Sequence, residues 1–425
     1  EIMKNLDRIG NRIPKEKDKA LRDKKSKVFK SINKALNYYK EEYKYTPLLK
    51  TLEKEFEILD STSGKELNSD KYSKYLTDNK GYQIVIVNGN FQKKLSTIPK
   101  NINVNSFHRL DKKNRVVFDK IYHNSDDSNS DIFSSINSIN HEDCLSIMVE
   151  KNITVKDNIS IINLIDTNNV CHHRKLIYCK KNSKCSFDEV FINIGENKNF
   201  SSSVSEIYLE DGANLTYYNQ QKIEENFHFN STNVFQEKNS ITNFFTFSFS
   251  GAMIRNNLNI KLKEKNCYAN MYGFYALKKK SHIDNHTTVD HMDENSISNE
   301  HYKGIMDEGS RGVFNGKIYV RQKAQKTNAF QSNNNILLSD NAKVYTKPQL
   351  EIWADDVKCS HGCTVGQLDN DALFYLMSRG IPINKAISLL LLAFSNEIFT
   401  KIEDENLKIR FEKIVMKELE KFNDE

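Results

Sequence analysis

The pattern of hydrophobic and polar positions divides the chain into a helical beginning, a long region of strands and a helical end. Near the start, apolar residues recur at helical spacing among charged ones, and the pair Thr46-Pro47 favours a further helix. The apolar, β-branched run Tyr82–Val87 predicts a strand that ends at the turn pair Asn88-Gly89. We therefore predict helices over residues 1–80 and strands from residue 81 onward.

Short alternating or β-branched segments recur through the centre of the chain, where helical periodicity is nearly absent. They lie roughly ten or twenty residues apart. Segments of this kind are Ile159–Ile165, Glu206–Leu209, Asn214–Tyr218, Leu258–Leu262, Val313–Val320 and Leu350–Trp353. Turn pairs ending in glycine begin at Asp211, Glu308 and Asn315. The spacing suits a β-sandwich or a solenoid of parallel strands over residues 81–367, and periodicity alone does not choose between them.

Helical periodicity returns over residues 368–425. Asp369 or Asn370 is expected to cap a first helix. The apolar face of that helix holds Leu373, Phe374, Leu376 and Met377. A second helix begins near Pro382 and is apolar nearly all round over Ile387–Ile398. Such a helix is either buried or covered by a partner.

Charge and cysteine content narrow the classes of function. The chain has 62 Lys and Arg against 56 Asp and Glu, and the basic excess is concentrated between Lys15 and Lys30. No aromatic residues interleave with the lysines at its start, which are Lys15, Lys17, Lys19, Lys24 and Lys25. A solvated helix face explains this run better than a nucleic-acid site. No apolar run approaches the roughly twenty residues of a membrane span. Seven cysteines and the lack of an apolar leading segment predict the cytoplasm, with neither nucleic acid nor membrane as a partner.

Two groups of metal-ligand residue types stand in the strand region. His282, Asp284 and His286 share one face of a predicted strand, because side chains alternate with a period of two. Hydrogen bonding within the sheet is the favoured interpretation of these residues, and a zinc site is the alternative. Cys171-His172-His173 is followed by Cys179 and Cys185, at spacings that match neither zinc nor ferredoxin motifs.

A third group lies close to the end of the strand region. A strand over Lys358–Cys363 places Cys359, His361 and Cys363 on one face, and a thiolate with an imidazole suits iron or an iron-sulfur fragment. A catalytic cysteine and histidine pair competes with this interpretation, and an ordinary strand explains the residues equally well. The chain contains no Gly-rich phosphate loop, so we do not expect it to hydrolyse ATP.

Longer segments resemble a known family. The segment Lys347–Pro382, KPQLEIWADDVKCSHGCTVGQLDNDALFYLMSRGIP, closely resembles the carboxy-terminal signature of the SufD family. Tyr302–Leu338 is similar to a block shared by SufB and SufD, and HIDNHTTVDH over His282–His291 is similar to the block before it. SufB has Glu-His-Glu where this chain has Cys359-Ser360-His361, so SufD is the better match. Cys363 departs from the alanine typical of the family.

The resemblance implies a mainly β fold, namely a right-handed parallel β-helix with helical N- and C-terminal regions. It implies a scaffold that is not itself an enzyme, in a complex with SufB and the ATPase SufC. The nascent iron-sulfur cluster would form at the SufB interface, where His361 is implied as a ligand with Cys359 close by, and no cofactor is expected in the isolated chain.

The resemblance further implies that the C-terminal helices bind SufC. The contact residues are then Leu373, Phe374, Leu376, Ile387, Leu390, Leu391 and Phe394. We also expect the isolated chain to be able to form a homodimer, by pairing like strands where SufB would dock. The alternatives are a SufB-like cluster scaffold and a carbohydrate-active β-helix enzyme, which would need paired carboxylates and normally secretion.

Overall fold

A computed structural model of the chain describes residues 13–56, 69–76, 81–122, 131–167 and 169–423. Its α-helices are Lys19–Glu42 (α1), Leu48–Glu55 (α2), Ser69–Tyr72 (α3), Lys112–Ile121 (α4), Ile132–Asn140 (α5), Asn370–Ser378 (α6), Ile383–Phe399 (α7) and Glu405–Glu420 (α8). Short 3-10 helices lie at Ile13–Lys15, Ser73–Tyr75, Lys93–Leu95, Phe107–Arg109 and Lys421–Asn423. Within these ranges no helix is long and apolar enough to cross a membrane.

The strands form most of the middle of the chain. They are Tyr82–Val87 (β1), Asn90–Phe91 (β2), Ile102–Ser106 (β3), Leu145–Val149 (β4), Ile159–Ile165 (β5), Val170–Cys179 (β6), Lys184–Asn193 (β7), Phe200–Leu209 (β8), Asn214–Lys222 (β9), Phe227–Gln236 (β10), Ile241–Ser250 (β11), Met253–Leu262 (β12), Tyr268–Leu277 (β13), His282–His291 (β14), Ile297–Met306 (β15), Arg311–Val320 (β16), Asn328–Leu337 (β17), Lys343–Ile352 (β18) and Lys358–Gly366 (β19).

From β4 onward, successive strands alternate between two sheets, so the chain winds as a coil. Sheet 1 has the order β19-β17-β15-β13-β11-β9-β7-β5-β1-β2, and sheet 2 has the order β18-β16-β14-β12-β10-β8-β6-β4-β3. From β4 onward neighbouring strands pair in parallel, and one coil takes from 26 residues, as Phe227 pairs with Met253, to 32, as Arg311 pairs with Lys343. The fold is therefore a parallel β-solenoid of about eight coils, which confirms the solenoid prediction over the sandwich.

The space between the two sheets is the lumen, and alternate side chains fill it. Two tyrosines interlock there with glycines on neighbouring strands. A Cβ on Gly273 would lie 2.1 Å from the ring of Tyr302, and a Cβ on Gly304 would lie 2.2 Å from the ring of Tyr275. Because each ring occupies the space that a side chain would need, these pairs fix the register of β13 on β15.

Most predicted turns and strands agree with the structure, and one turn is wrong. Strand β1 coincides with the predicted run, and Asn88 and Gly89 have positive φ angles of 46° and 83° in the turn to β2. Asn315-Gly316, predicted as a turn, lies inside β16 instead. Glycine is needed there for space, since a Cβ on Gly316 would lie 1.9 Å from Nε2 of Gln331.

Helices cover the outer faces of both sheets. Apolar residues of α1, α2 and α5 pack on the outer face of sheet 2, against residues such as Phe200 and Phe229. Helices α7 and α8 pack on the outer face of sheet 1, where Phe411 meets Tyr218 and Phe247. Helices α4 and α5 lie within the range predicted as strands. Helix α4 packs at the start of the solenoid, where Phe107 and Phe118 are buried, whereas α5 lies with α1 on sheet 2.

The two ends of the solenoid differ. At the first end, sheet 1 finishes in the two-residue strand β2 and sheet 2 in β3, and both pair antiparallel with their neighbours. At the other end, β18 pairs with β16 and β19 with β17, and neither has a second partner strand among the residues that the structure describes. We call β18, β19 and their connection the open coil, because each strand has a free edge.

Candidate functional site

The open coil presents a row of unpaired backbone groups. Nearly every residue of β19 is exposed, and β18 is at best half-buried, whereas the preceding coils are largely buried. Free N–H and C=O groups along a ten-residue strand can pair with the strand of another chain. The open coil is therefore the end at which a second β-structure can add.

Three chemically active side chains share one face of β19. In register, Cys359 pairs with Ala329, His361 with Gln331 and Cys363 with Asn333. The three β17 partners are buried in the lumen, so the three β19 residues face the continuation of the lumen. This confirms the common face that the strand period predicted. His361 and Cys363 are exposed because no further coil covers them.

The thiol and imidazole groups of Cys359, His361 and Cys363 are of the types that bind iron. Cys359 is half-buried beside a small apolar cluster that includes Ala329, and this burial raises the pKa of its thiol. Thiolate and imidazole are the protein ligands of iron and iron-sulfur fragments. Within the part of the chain that the structure describes, no group of three or more His, Cys, Asp or Glu is arranged to hold a metal ion.

The group His282, Asp284 and His286 has a different role. Thr46 Oγ1 lies 2.8 Å from His282 Nε2 and also donates to Asp284. His286 bridges the Asp284 carboxylate at 3.0 Å and the Glu42 carboxylate at 3.3 Å. Although burial opposes it, the hydrogen bond from His286 lowers the pKa of Glu42 to about 2. These side chains fasten the end of α1 to sheet 2, so hydrogen bonding accounts for them.

The cysteine and histidine group near β6 is split between the two faces of that strand. Cys171 Sγ lies 3.4 Å from His173 Nε2 inside the lumen, whereas His172 lies on the outer face and bonds a serine of β8. Cys179 and Cys185 approach to 3.9 Å between sulfurs. Burial raises the pKa of Cys171 to about 12, so its thiol stays protonated at neutral pH. These thiols are packed in the core.

Comparisons with known proteins identify the family. Residues 161–394 match the family model described as SUF system FeS cluster assembly, SufBD core domain, and residues 11–161 match the SufBD protein N-terminal region. The chain belongs to the SufBD family. That family serves iron-sulfur cluster assembly in the SUF system, and the resemblance found in the sequence is thereby confirmed.

Curated members of the SufBD family support the assignment. An iron-sulfur cluster assembly SufBD family protein of Synechocystis sp. is 32% identical over 80% of this chain and 78% of its own length. The SufD protein of Escherichia coli is 32% identical over 56% of this chain and 57% of its own length. SufD of Plasmodium falciparum is 29% identical over 60% of this chain and 18% of its own length. The chain thus spans little more than half of the bacterial SufD.

The C-terminal helices of this SufBD protein place its predicted partner residues in three environments. Leu391 is fully buried against sheet 1, so the chain's own core, rather than a partner, explains its apolar side chain. The half-buried residues are Leu373, Leu376, Ile387, Leu390 and Phe394. Phe374 is 73% exposed. Partner binding at all of these positions stays a prediction, and at Leu391 the chain's own core already accounts for the apolar residue.

Sequence reasoning missed part of this surface. Tyr375, on α6, is more than half exposed, and Ile383 begins α7 with half of its side chain exposed. We call these two residues, together with the exposed Phe374 and Met377, the apolar patch: four exposed apolar side chains on α6 and at the start of α7. Tyr375 follows Phe374 directly, so it lies off the i, i+3, i+4 face that helical periodicity selects, and this is why the pattern did not mark it.

Proposed function

We propose that this SufBD protein is a SufD-type scaffold subunit that pairs with SufB through its open coil and offers His361 to the nascent cluster. The observation that carries the proposal is the open coil itself, whose free edges stand beside an exposed imidazole and two thiols. A cluster site shared between two chains needs ligands displayed at an end that the second chain completes, and the open coil displays an imidazole and two thiols in this way.

Pairing at the open coil would change the surroundings of His361. The residue now faces solvent from the lumen side of β19, in register with the buried Gln331. A partner strand added beyond β19 would cover this face and exclude water from it. A neutral imidazole ligates iron through one ring nitrogen, and a covered site protects the nascent cluster from hydrolysis and oxidation. The cluster is the cargo of the site.

The apolar patch is the surface we propose for the ATPase subunit SufC. Further along α7, the helix that Ile383 begins, Lys303 of β15 donates to the backbone oxygen of Phe394 at 3.0 Å and pairs with Glu397 at 2.8 Å. These bonds tie α7 to β15, which is two strands from β19 in sheet 1. Movement of an ATPase held on α6 and α7 would therefore be passed to the open coil through a rigid sheet.

The decisive test of the site is His361→Ala, co-expressed with SufB and SufC. We expect the complex to assemble, because the side chain is exposed in the free chain, and to lose most of the cluster absorbance after anaerobic reconstitution. His108→Ala, which removes another exposed histidine near the opposite end of the solenoid, is the control. Wild-type cluster yield in an intact His361→Ala complex would refute the ligand role.

The test of the apolar patch is Phe374→Asp. Because this ring is largely exposed, the substitution should leave the fold intact while costing about 2 kcal/mol or more of binding, roughly a thirty-fold loss of affinity. The measurement is co-purification with SufC and its affinity by calorimetry. Met416→Asp alters an exposed apolar residue on α8 and should bind normally. Unchanged affinity of Phe374→Asp would rule out the patch as the docking surface.

A further inference from the structure

A column of polar side chains runs along the lumen to the open coil. Glu300 of β15 is in register with Gln331 of β17, and Gln331 is in register with His361 of β19. Neighbouring strands lie about 4.8 Å apart, so equivalent side chains on one face are in hydrogen-bonding reach of each other. His361 is therefore the exposed end of a three-residue column whose other members are buried.

The middle member of the column is held in place. Gln331 Nε2 donates to Glu300 Oε2 at 2.7 Å, and Thr287 donates to the other oxygen of the same carboxylate. On its far side the amide lies against Gly316, where any Cβ would come within 1.9 Å of Nε2. Burial raises the pKa of Glu300 to about 7, and Oε2 can accept the amide hydrogen in either protonation state.

The oxygen of the Gln331 side-chain amide, Oε1, accepts no hydrogen bond from the described residues. Gln331 is 3% exposed, and within the described residues its Oε1 has no hydrogen-bond donor. An amide whose nitrogen points at Glu300 directs its oxygen away from Glu300. The next residue in the column on that side is His361. A buried acceptor without a donor is unfavourable, and the imidazole of His361 is the side chain in register that could supply one N–H group to this oxygen.

We infer that Gln331, held by Glu300, is a positioning residue for His361: its Oε1 accepts the hydrogen of one ring nitrogen. The imidazole is then fixed in one tautomer, and the lone pair of the other nitrogen is free to bind iron. This inference rests on the proposed function for its purpose, because the ring must be oriented only if it serves as a ligand. The hydrogen bond itself can be tested in the isolated chain.

The test is the tautomer of His361, read by NMR of the full chain with 15N-labelled histidine and assigned with His361→Ala. We expect wild-type His361 to populate a single neutral tautomer and Gln331→Leu to return it to the mixture of an unconstrained imidazole. Asn333→Leu is the matched control, since it removes a buried amide from the same face of β17 in register with Cys363. It should leave the His361 tautomer unchanged.

Substitutions at Glu300 distinguish loss of the hydrogen bond that positions Gln331 from a general disturbance of the fold. Glu300→Gln keeps an oxygen that accepts the Gln331 amide and should preserve the tautomer, whereas Glu300→Leu should release it. A wild-type tautomer mixture, or a single tautomer that survives both Gln331→Leu and Glu300→Leu, overturns the inference. If Gln331→Leu does not fold, the wild-type spectrum and the two Glu300 variants decide the question.

The same variants in the complex distinguish this inference from the proposed function. Loss of an outer partner of a metal ligand typically weakens metal affinity about 10- to 100-fold, and we expect Gln331→Leu to weaken iron retention by this factor. If His361→Ala removes the cluster while the tautomer is unconstrained, the proposed function stands and the positioning role fails. If the tautomer depends on Gln331 while His361→Ala keeps its cluster, the hydrogen bond stands and the ligand role fails.

Discussion

Replacing Lys175 by methionine should lower the free energy of unfolding by about 3–5 kcal/mol, as expected when one partner of a buried ion pair is removed. Lys175 Nζ lies 2.6 Å from Glu189 Oε1 inside the lumen, and both side chains are almost wholly buried. Without the lysine, the carboxylate would keep only its hydrogen bonds from Tyr217 and Asn163. Chemical denaturation followed by circular dichroism measures the change.

The double variant Lys175→Met, Glu189→Gln is the control for this prediction. It removes both charges while keeping a side chain that can bond Tyr217 and Asn163, so it should recover most of the lost stability. Lys184→Met, at an exposed position of β7, should change little. A single variant as stable as the wild type would show that the ion pair contributes nothing to the fold.

The second large effect is expected from Phe411→Ala. Phe411 is fully buried, and its ring stacks on Phe247 at 4.6 Å and on Tyr218 at 5.1 Å between centroids. Removing a buried phenylalanine typically costs about 3–5 kcal/mol. Because this residue joins α8 to sheet 1, we expect α8 to exchange its amide hydrogens faster while the strands beneath it stay protected.

Hydrogen exchange with mass spectrometry reads this difference segment by segment. Ile409→Ala, on the same helix but 42% exposed, should leave exchange close to that of the wild type. Equal protection of α8 in Phe411→Ala would mean that other contacts hold the helix on the sheet. Faster exchange throughout the solenoid would mean instead that the helix and the coils open as one cooperative unit.

The sequence was most informative where the signal is local. The strand β5 coincides with its predicted range, and Asp369 caps α6 through bonds to two backbone N–H groups. Period-two alternation placed Cys359, His361 and Cys363 on one face, and the register confirms it. These features depend on residues only a few positions apart, so a single sequence contains them.

Features that depend on contacts between distant parts of the chain could not be predicted from the sequence. Coil length varies between 26 and 32 residues, so no fixed period reveals that Glu300, Gln331 and His361 share a column. Likewise, the partner of His286 is Glu42, more than two hundred residues earlier. The apolar pattern of α7 showed that the helix is covered, but only the fold shows that sheet 1 covers Leu391. Contacts between residues that are distant in sequence depend on how the chain winds into coils, and local sequence patterns do not reveal this.

The unlike ends of the solenoid limit the size of any assembly. A solenoid with long free strands at both ends could add subunits in both directions and grow into a fibre, whereas one end of this chain has only the two-residue strand β2 and the five-residue strand β3. If two solenoids joined through their open coils, the short antiparallel strands β2 and β3 would form both outer ends of the pair, and these ends offer little strand edge for a third subunit to extend.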